Sequence, residues 1–253
     1  PPNLLDDTAN AQPATVAISL ATYFSFRRVN PSWQPLAFLG HSTGQMSAIA
    51  AAGVVNIETV LHMAAERGRR MKEVGEKEEN KGGMLALLGA SLEQAESFCA
   101  SISGALGEGG IWVANDNSVD QVILSGKKKY IEHALAQAKE AGITKAVLIP
   151  VDIAAHCPLM QKAQDRFSEY LRHIEFKRPS SPIILNTTAA ATLDPDEIRA
   201  DLVSGLTCGV RFREALKEAQ RIGVTSFVEI GEGPLSGFAQ KVLPDSMKFQ
   251  IAT

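Results

Sequence analysis

Short apolar runs alternate along this chain with longer stretches in which apolar residues recur every three or four positions. The first pattern is typical of buried strands, and the second of helices with one buried face. Strands that alternate with helices indicate an α/β fold with a parallel sheet. Outside the middle of the chain, a helix that starts near Gln12 is expected within 8–28. Further helices are expected over 46–52, 57–74, 158–174, 196–206, 212–221 and 235–242, and strands over 36–39, 182–185, 226–230 and 248–251.

The middle of the chain follows a different order, which begins after the polar linker 75–83. The expected order of β-α-β-β-α-β is that of a ferredoxin-like unit. We therefore predict a small domain at 81–151, inserted into a larger α/β domain that covers 1–80 and resumes over 152–253. The insert's expected elements are strands over 84–89, 111–114, 121–124 and 145–151 and helices over 91–103 and 127–141.

The first predicted strand leads into a candidate nucleophile. The sequence Gly40–Gly44 fits G-x-S-x-G between a strand and a helix of small residues. In that context the motif predicts a nucleophile elbow, which exposes the oxygen of Ser42. The N–H of Thr43 would face a developing oxyanion at the helix N-terminus. Gly40 and Gly44, which lack a Cβ, would let the strand and the helix pass closely. The alternative is a serine that only caps the helix.

A serine nucleophile needs a base within hydrogen-bond reach. His156 follows a predicted strand and precedes the next helix, where a side chain can face a site. The alternative is a loop histidine without a function. No Asp or Glu stands out as a third member, so a backbone carbonyl could hold the imidazole tautomer. The other four histidines are weaker candidates. His62, His133 and His173 are expected on solvated helix faces, and the side chain of His41 is expected to point away from that of Ser42.

Arg67 is expected on the buried side of its helix, because it shares helical spacing with Val60, Ala64 and Met71. A buried guanidinium needs an anion. That anion could be a carboxylate of the fold, or the long stem could reach solvent. The functional alternative is a clamp on a substrate carboxylate. Two runs are weaker candidates. The basic run 127–129 is either a solvated face or a docking patch for an acidic partner. The polar run 115–118 is typical of a turn.

Composition narrows the class of protein. The 253 residues carry a formal net charge of −3, which argues against a general nucleic-acid binder. Three distant cysteines indicate neither a disulfide framework nor a zinc site and favour a reducing compartment. No membrane span or signal peptide is visible. We expect a monomer in the cytoplasm or an organellar matrix. Because the chain begins with Pro1 rather than Met, we expect its natural N-terminus to be missing.

These motifs together resemble the malonyl-CoA:acyl carrier protein transacylases and, more widely, the acyltransferase domains of fatty-acid and polyketide synthases. The resemblance implies an α/β-hydrolase-like domain with a ferredoxin-like insert. It implies that Ser42 is acylated, that His156 is base and acid, and that Arg67 holds the malonyl carboxylate. Thr43 and Asn117 complete the expected substrate-binding residues. The matching stretches are 10–14, 40–44, 66–71, 113–118, 121–126 and 156–160.

We therefore predict an acyltransferase that moves malonyl from coenzyme A to the phosphopantetheine thiol of acyl carrier protein, with no metal or bound cofactor. A serine hydrolase of the esterase or thioesterase type shares the elbow, but it would place a late Asp or Glu before its His and have no buried arginine. A scaffold domain with a decayed site is the other alternative. It would fit the expected absence of the family's first strand and of its FPGQG-like loop, which supplies a second oxyanion donor.

Overall fold

The computed structural model describes residues 4–151 and 153–253, so residues 1–3 and Asp152, the predicted start of the resumed domain, lie outside the described residues. The chain has a mixed α/β fold. Its helices are α1 (Thr8–Val29), α2 (Gly44–Ala51), α3 (Ile57–Gly75), α4 (Leu92–Leu106), α5 (Lys128–Gln137), α6 (Gln161–Leu171), α7 (Pro195–Ser204), α8 (Phe212–Arg221) and α9 (Leu235–Val242). Its strands are β1 (Phe38–Leu39), β2 (Gly82–Leu88), β3 (Ile111–Ser118), β4 (Gln121–Lys127), β5 (Lys145–Ile149), β6 (Ile183–Ile184), β7 (Ala191–Thr192), β8 (Ser226–Ile230) and β9 (Lys248–Ala252).

The strands outside the middle segment do not form one parallel sheet among the described residues, contrary to the prediction. β1 pairs in parallel with β6, and β6 pairs antiparallel with β7, which the sequence did not reveal. β8 and β9 form a separate parallel pair. The apolar runs at 36–39 and 182–185 are four residues long, yet only two residues of each join the ladder, the last two of the first run and the central two of the second. Leu36, for example, is exposed.

The middle segment has the predicted element order and forms its own sheet, with strand order β3-β4-β2-β5 and all neighbours antiparallel. Side chains alternate between the two faces of the sheet. Leu85 and Leu87 pack under α4 and α5 in one apolar cluster, whereas Met84 faces the core of the larger part. Ser91 caps α4 with a capping box.

The polar run 115–118 was wrongly predicted as a turn. β3 continues to Ser118, so only two residues separate it from β4. The polar residues of this run are buried because they meet the larger part of the chain. Asn115 forms a parallel bridge with Val210, and the Asp116 carboxylate accepts a hydrogen bond from Arg213 Nε at 2.8 Å. Contacts across the junction therefore satisfy part of this polar strand, although the other carboxylate oxygen of Asp116 has no hydrogen-bond partner among the described residues.

Helices α1 and α3 pack side by side and carry two residues of the site. The predicted start of α1 near Gln12 was wrong. The helix begins a turn earlier, because the carboxylate of Asp7 caps it by accepting the Ala9 N–H at 2.9 Å. Gly68 in α3 permits the close approach, since a Cβ there would lie 2.5 Å from the carbonyl oxygen of Thr8. Within the described ranges, no helix is long and apolar enough to cross a membrane.

Candidate active site

The turn between β1 and α2 has the backbone geometry of a nucleophile elbow. Ser42 has a φ of 52°, a conformation that non-glycine residues rarely adopt. Gly40 is required, because a Cβ there would lie 2.2 Å from the carbonyl carbon of Gly44. The predicted need for glycine at position 44 was wrong, since a Cβ at Gly44 would meet open space. The strained turn presents the Ser42 hydroxyl at the start of α2.

His156 lies directly against this serine. The Ser42 Oγ and His156 Nε2 are 2.8 Å apart, and His156 Nδ1 is 2.6 Å from the carbonyl oxygen of Gly205. Because a carbonyl can only accept, Nδ1 carries the proton and Nε2 is free to accept the serine proton. A backbone carbonyl therefore holds the tautomer, as the sequence suggested. Burial, followed by the nearby Arg67 and His41, lowers the pKa of His156 to about 3, so the imidazole is neutral at physiological pH.

Three of the other histidines lie away from this pair, and His41, although it is next to Ser42, meets Asn117 rather than His156. His62 and His173 are exposed, and His133 is half-buried on α5. His41 points towards the insert, where its Nε2 lies 2.8 Å from Asn117 Oδ1 and therefore donates to it. Asn117 Nδ2 in turn donates to Gln121 at 2.9 Å.

Arg67 is buried, as its helical spacing predicted, with 5% of its surface exposed. Its Nη1 donates to Gln12 Oε1 on α1 at 2.7 Å and lies 3.5 Å from the Thr43 hydroxyl. Among the described side chains, no carboxylate lies within ion-pair distance of Arg67. Burial lowers the pKa of Arg67 to about 10, so the guanidinium keeps its charge at neutral pH. A buried cation held by a neutral amide is a site for an anion.

One cavity of about 260 Å³ brings the predicted residues together. Ser42, Thr43, Arg67 and His156 all line it. Its walls are formed by α1, α3, one residue each of β2 and β3, and the segment before His156. Asn117 is not among its lining residues, whereas Asn115 is. The backbone N–H of Thr43 has no acceptor among the described residues, so it is free to bind an oxyanion at the N-terminus of α2.

Sequence reasoning missed three residues that support the site. Gln12 accepts a hydrogen bond from Arg67, and Asn186 accepts the Ser42 N–H at 2.8 Å. Asp201 accepts the N–H of Asn186 in turn. A signal for Asn186 was present, because it follows the apolar run that forms β6 and polar residues at the carboxyl ends of parallel strands gather at one edge. In the described parts of the chain, no group of three or more His, Cys, Asp or Glu side chains is placed to hold a metal ion.

Comparison with known proteins agrees with this geometry. Residues 1–241 match the family model described as the acyl transferase domain. The chain is 31% identical over 253 residues to a malonyl CoA-acyl carrier protein transacylase of Haemophilus influenzae, covering 99% of this chain and 79% of that protein. Its fold is similar to an acyl-carrier-protein S-malonyltransferase of Burkholderia pseudomallei, with a TM-score of 0.92, 30% identity and coverage of 100% and 80%.

A second similar structure is a malonyl-transacylase in complex with its type II PKS acyl-carrier protein. It has a TM-score of 0.91 and 28% identity, and the match covers 99% of this chain and 79% of that one. The family model covers nearly the whole chain and includes both Ser42 and His156. This chain belongs to the acyl transferase domain family.

Proposed function

We propose that this protein transfers a malonyl group from coenzyme A to the phosphopantetheine thiol of acyl carrier protein, in fatty-acid or polyketide synthesis. One observation carries the substrate class. The Ser42–His156 pair shares a cavity with Arg67, a buried cation that has no carboxylate partner among the described side chains. A malonyl thioester offers a carbonyl for the serine and a carboxylate for the guanidinium at opposite ends of a short acyl group.

The geometry supports a two-step exchange. His156 Nε2 takes the proton of Ser42 as the serine oxygen attacks the thioester carbonyl. The negative charge that develops on the carbonyl oxygen is stabilised by the Thr43 N–H. The carbon–sulfur bond breaks, and the leaving thiolate takes the proton from His156. The thiol of the carrier then attacks the acyl-serine with His156 again as base, and Ser42 regains its proton as malonyl leaves on the carrier.

We propose a domain organisation in which the insert is set apart by its own sheet and by its own apolar cluster. An α/β-hydrolase-like domain covers 1–80 and 152–253, and a ferredoxin-like domain is inserted at 81–151. The order β3-β4-β2-β5 and a separate cluster beneath α4 and α5 support the insert. Parallel pairing of β1 with β6, next to the elbow, supports the hydrolase-like part.

The remaining site assignments stay predictions. Thr43 lies at the cavity with its hydroxyl towards Arg67, which supports a substrate contact. Asn117 meets His41 rather than the cavity, so we expect it to act on substrate only through that histidine. We propose that the reaction uses no metal or bound cofactor. The monomeric state and the cytoplasmic location also stay predictions.

A serine hydrolase is the main rival, because it would use the same elbow. His156 Nδ1 meets the Gly205 carbonyl rather than a carboxylate, which differs from the Ser-His-acid arrangement expected of that class. The test incubates the protein with malonyl-CoA and an acyl carrier protein in its phosphopantetheine form. Mass spectrometry of the carrier should show malonyl on its thiol. Free malonate with an unmodified carrier would favour the hydrolase, and no turnover at all would favour a decayed scaffold.

A further inference from the structure

Asp201 is a buried carboxylate with no direct part in the proposed reaction. It lies on α7, and 4% of its surface is exposed. Its Oδ1 accepts from the N–H and the hydroxyl of Thr187, at 2.8 and 2.7 Å. Its Oδ2 accepts from the Asn186 N–H at 3.0 Å and, more weakly, from Gln45 Nε2 at 3.4 Å. A buried carboxylate is tolerated only with such partners, so these four donors fix its position.

Asn186 connects this carboxylate to the nucleophile. Its Oδ1 accepts the Ser42 N–H at 2.8 Å, and its Nδ2 donates to the Gly40 carbonyl at 2.7 Å. One side chain therefore holds the elbow on both sides of the turn. A serine at a φ of 52° persists only where its surroundings over-determine the backbone. Asn186, held from behind by Asp201, supplies that restraint.

Helix α7, which carries Asp201, also positions the carbonyl that orients the base. Gly205 follows the last residue of α7, and its N–H donates to the Asp201 carbonyl at 2.8 Å. The carbonyl of Gly205 then accepts from His156 Nδ1. Ser42, His156, Asn186, Asp201 and Gly205 all line one void of about 20 Å³, so these contacts form one continuous unit.

We propose that Asp201 is a positioning residue that holds the Ser42 hydroxyl and the His156 imidazole at hydrogen-bond distance from each other. Through Asn186 it fixes the elbow, and through α7 it fixes the carbonyl that orients the imidazole. This inference rests on the proposed serine–histidine chemistry, but not on which acyl group is transferred.

The test uses Asp201→Asn and a fluorophosphonate that labels activated serines. Ser42 Oγ attacks the phosphorus, fluoride leaves, and the serine proton passes to His156. The new amide NH₂ would face two donors, so the variant loses half of the contacts at this position. We expect labelling per folded molecule to slow roughly 10- to 100-fold, because small displacements of reacting groups cost about that much. The final stoichiometry should stay at one label per chain.

The matched control is Glu229→Gln. Glu229 is another buried carboxylate, and it accepts the N–H groups of Leu235 and Ser236 at the start of α9, at 3.0 and 2.8 Å. A general loss of packing would slow labelling in both variants, whereas a positioning role confines the loss to Asp201→Asn. Equal slowing in the two variants, or an unchanged rate in Asp201→Asn, would overturn the proposal.

If Asp201→Asn does not fold, Thr187→Val replaces it, because this change removes one of the donors that hold the Asp201 carboxylate. Asn186→Ala provides a second line of evidence. It should slow labelling by a similar factor. The double variant should be no slower than the slower single variant, because both changes break one linkage. If the double variant is slowed by the product of the two single reductions in rate, the two residues act separately and the proposed coupling is refuted. If wild type is labelled but malonyl-CoA leaves no acyl group on Ser42, the proposed function fails while this inference stands.

Discussion

Arg67→Ala should separate malonyl transfer from acetyl transfer. The guanidinium is buried, and its pKa falls from its ordinary value to about 10 because burial disfavours the charged form. At roughly 1.4 kcal/mol per pH unit, that difference corresponds to about 3 kcal/mol of lost solvation. A malonyl carboxylate that binds the guanidinium would recover energy of this order. Such a contribution corresponds to about a hundredfold in rate.

We therefore expect Arg67→Ala to lower kcat/KM for malonyl-CoA by at least ~10²-fold. Acetyl-CoA has the same thioester but no carboxylate, so its transfer should hold steady or rise. Arg67→Lys should restore malonyl transfer only in part, because an ammonium group lacks the planar pair of donors. The assay measures kcat/KM for both thioesters with the same carrier protein.

Arg70→Ala is the matched control. Arg70 lies on the same helix but pairs with Glu66 on a more exposed face, so it reports any general effect of removing a cation. This variant should keep the malonyl preference of the wild type. If malonyl and acetyl transfer fall together in Arg67→Ala, Arg67 is a structural residue and the carboxylate is bound elsewhere.

Three further outcomes follow from the site. His156→Ala should slow acylation of the serine by roughly 10²–10⁴ in a quenched-flow assay, the usual contribution of a general base, and a normal rate would show that another group is the base. The controls, which should stay near wild type, are His62→Ala, His133→Ala and His173→Ala. The pKa of His156 is about 3 in the folded chain against an ordinary value of 6.5. Between these values the unfolded chain binds one more proton than the folded chain, so the free energy of unfolding decreases as the pH is lowered. Urea unfolding should show wild type losing about 2 kcal/mol more than His156→Gln between pH 8 and 5, and parallel pH profiles would contradict this. Gly40→Ala should lower the free energy of unfolding by about 1–3 kcal/mol, measured by thermal unfolding, because the added Cβ has no room. An equal loss in Gly44→Ala would show that the requirement for glycine is not specific to position 40.

Local pattern was enough to find the reacting groups. Ser42 stands in a motif whose strand and helix are close in sequence, and the buried face of Arg67 follows from helical spacing alone. His156 stood out because three of the other four histidines fall on solvent-exposed helix faces and His41 was expected to point away from Ser42. These features depend on residues within a few positions of each other, which is why the sequence revealed them.

The supporting residues depend on contacts that sequence does not reveal. Asn186 reaches the elbow only because β6 pairs with β1, two strands that lie far apart in the chain. The Gly205 carbonyl could not be singled out, since every residue carries one. Gln12 was hidden by the misplaced start of α1. The polar run at 115–118 resembled a turn because its partners, including Arg213, lie across the domain junction.

The most direct test of the account is the intact mass of the protein after brief exposure to malonyl-CoA without a carrier. The elbow and the base predict one malonyl group per chain, located on Ser42 by peptide mapping. Ser42→Ala should gain none under the same conditions, and acyl carrier protein should remove the group from wild type. A malonyl group that persists in Ser42→Ala, or that maps to another residue in wild type, would contradict the central claim.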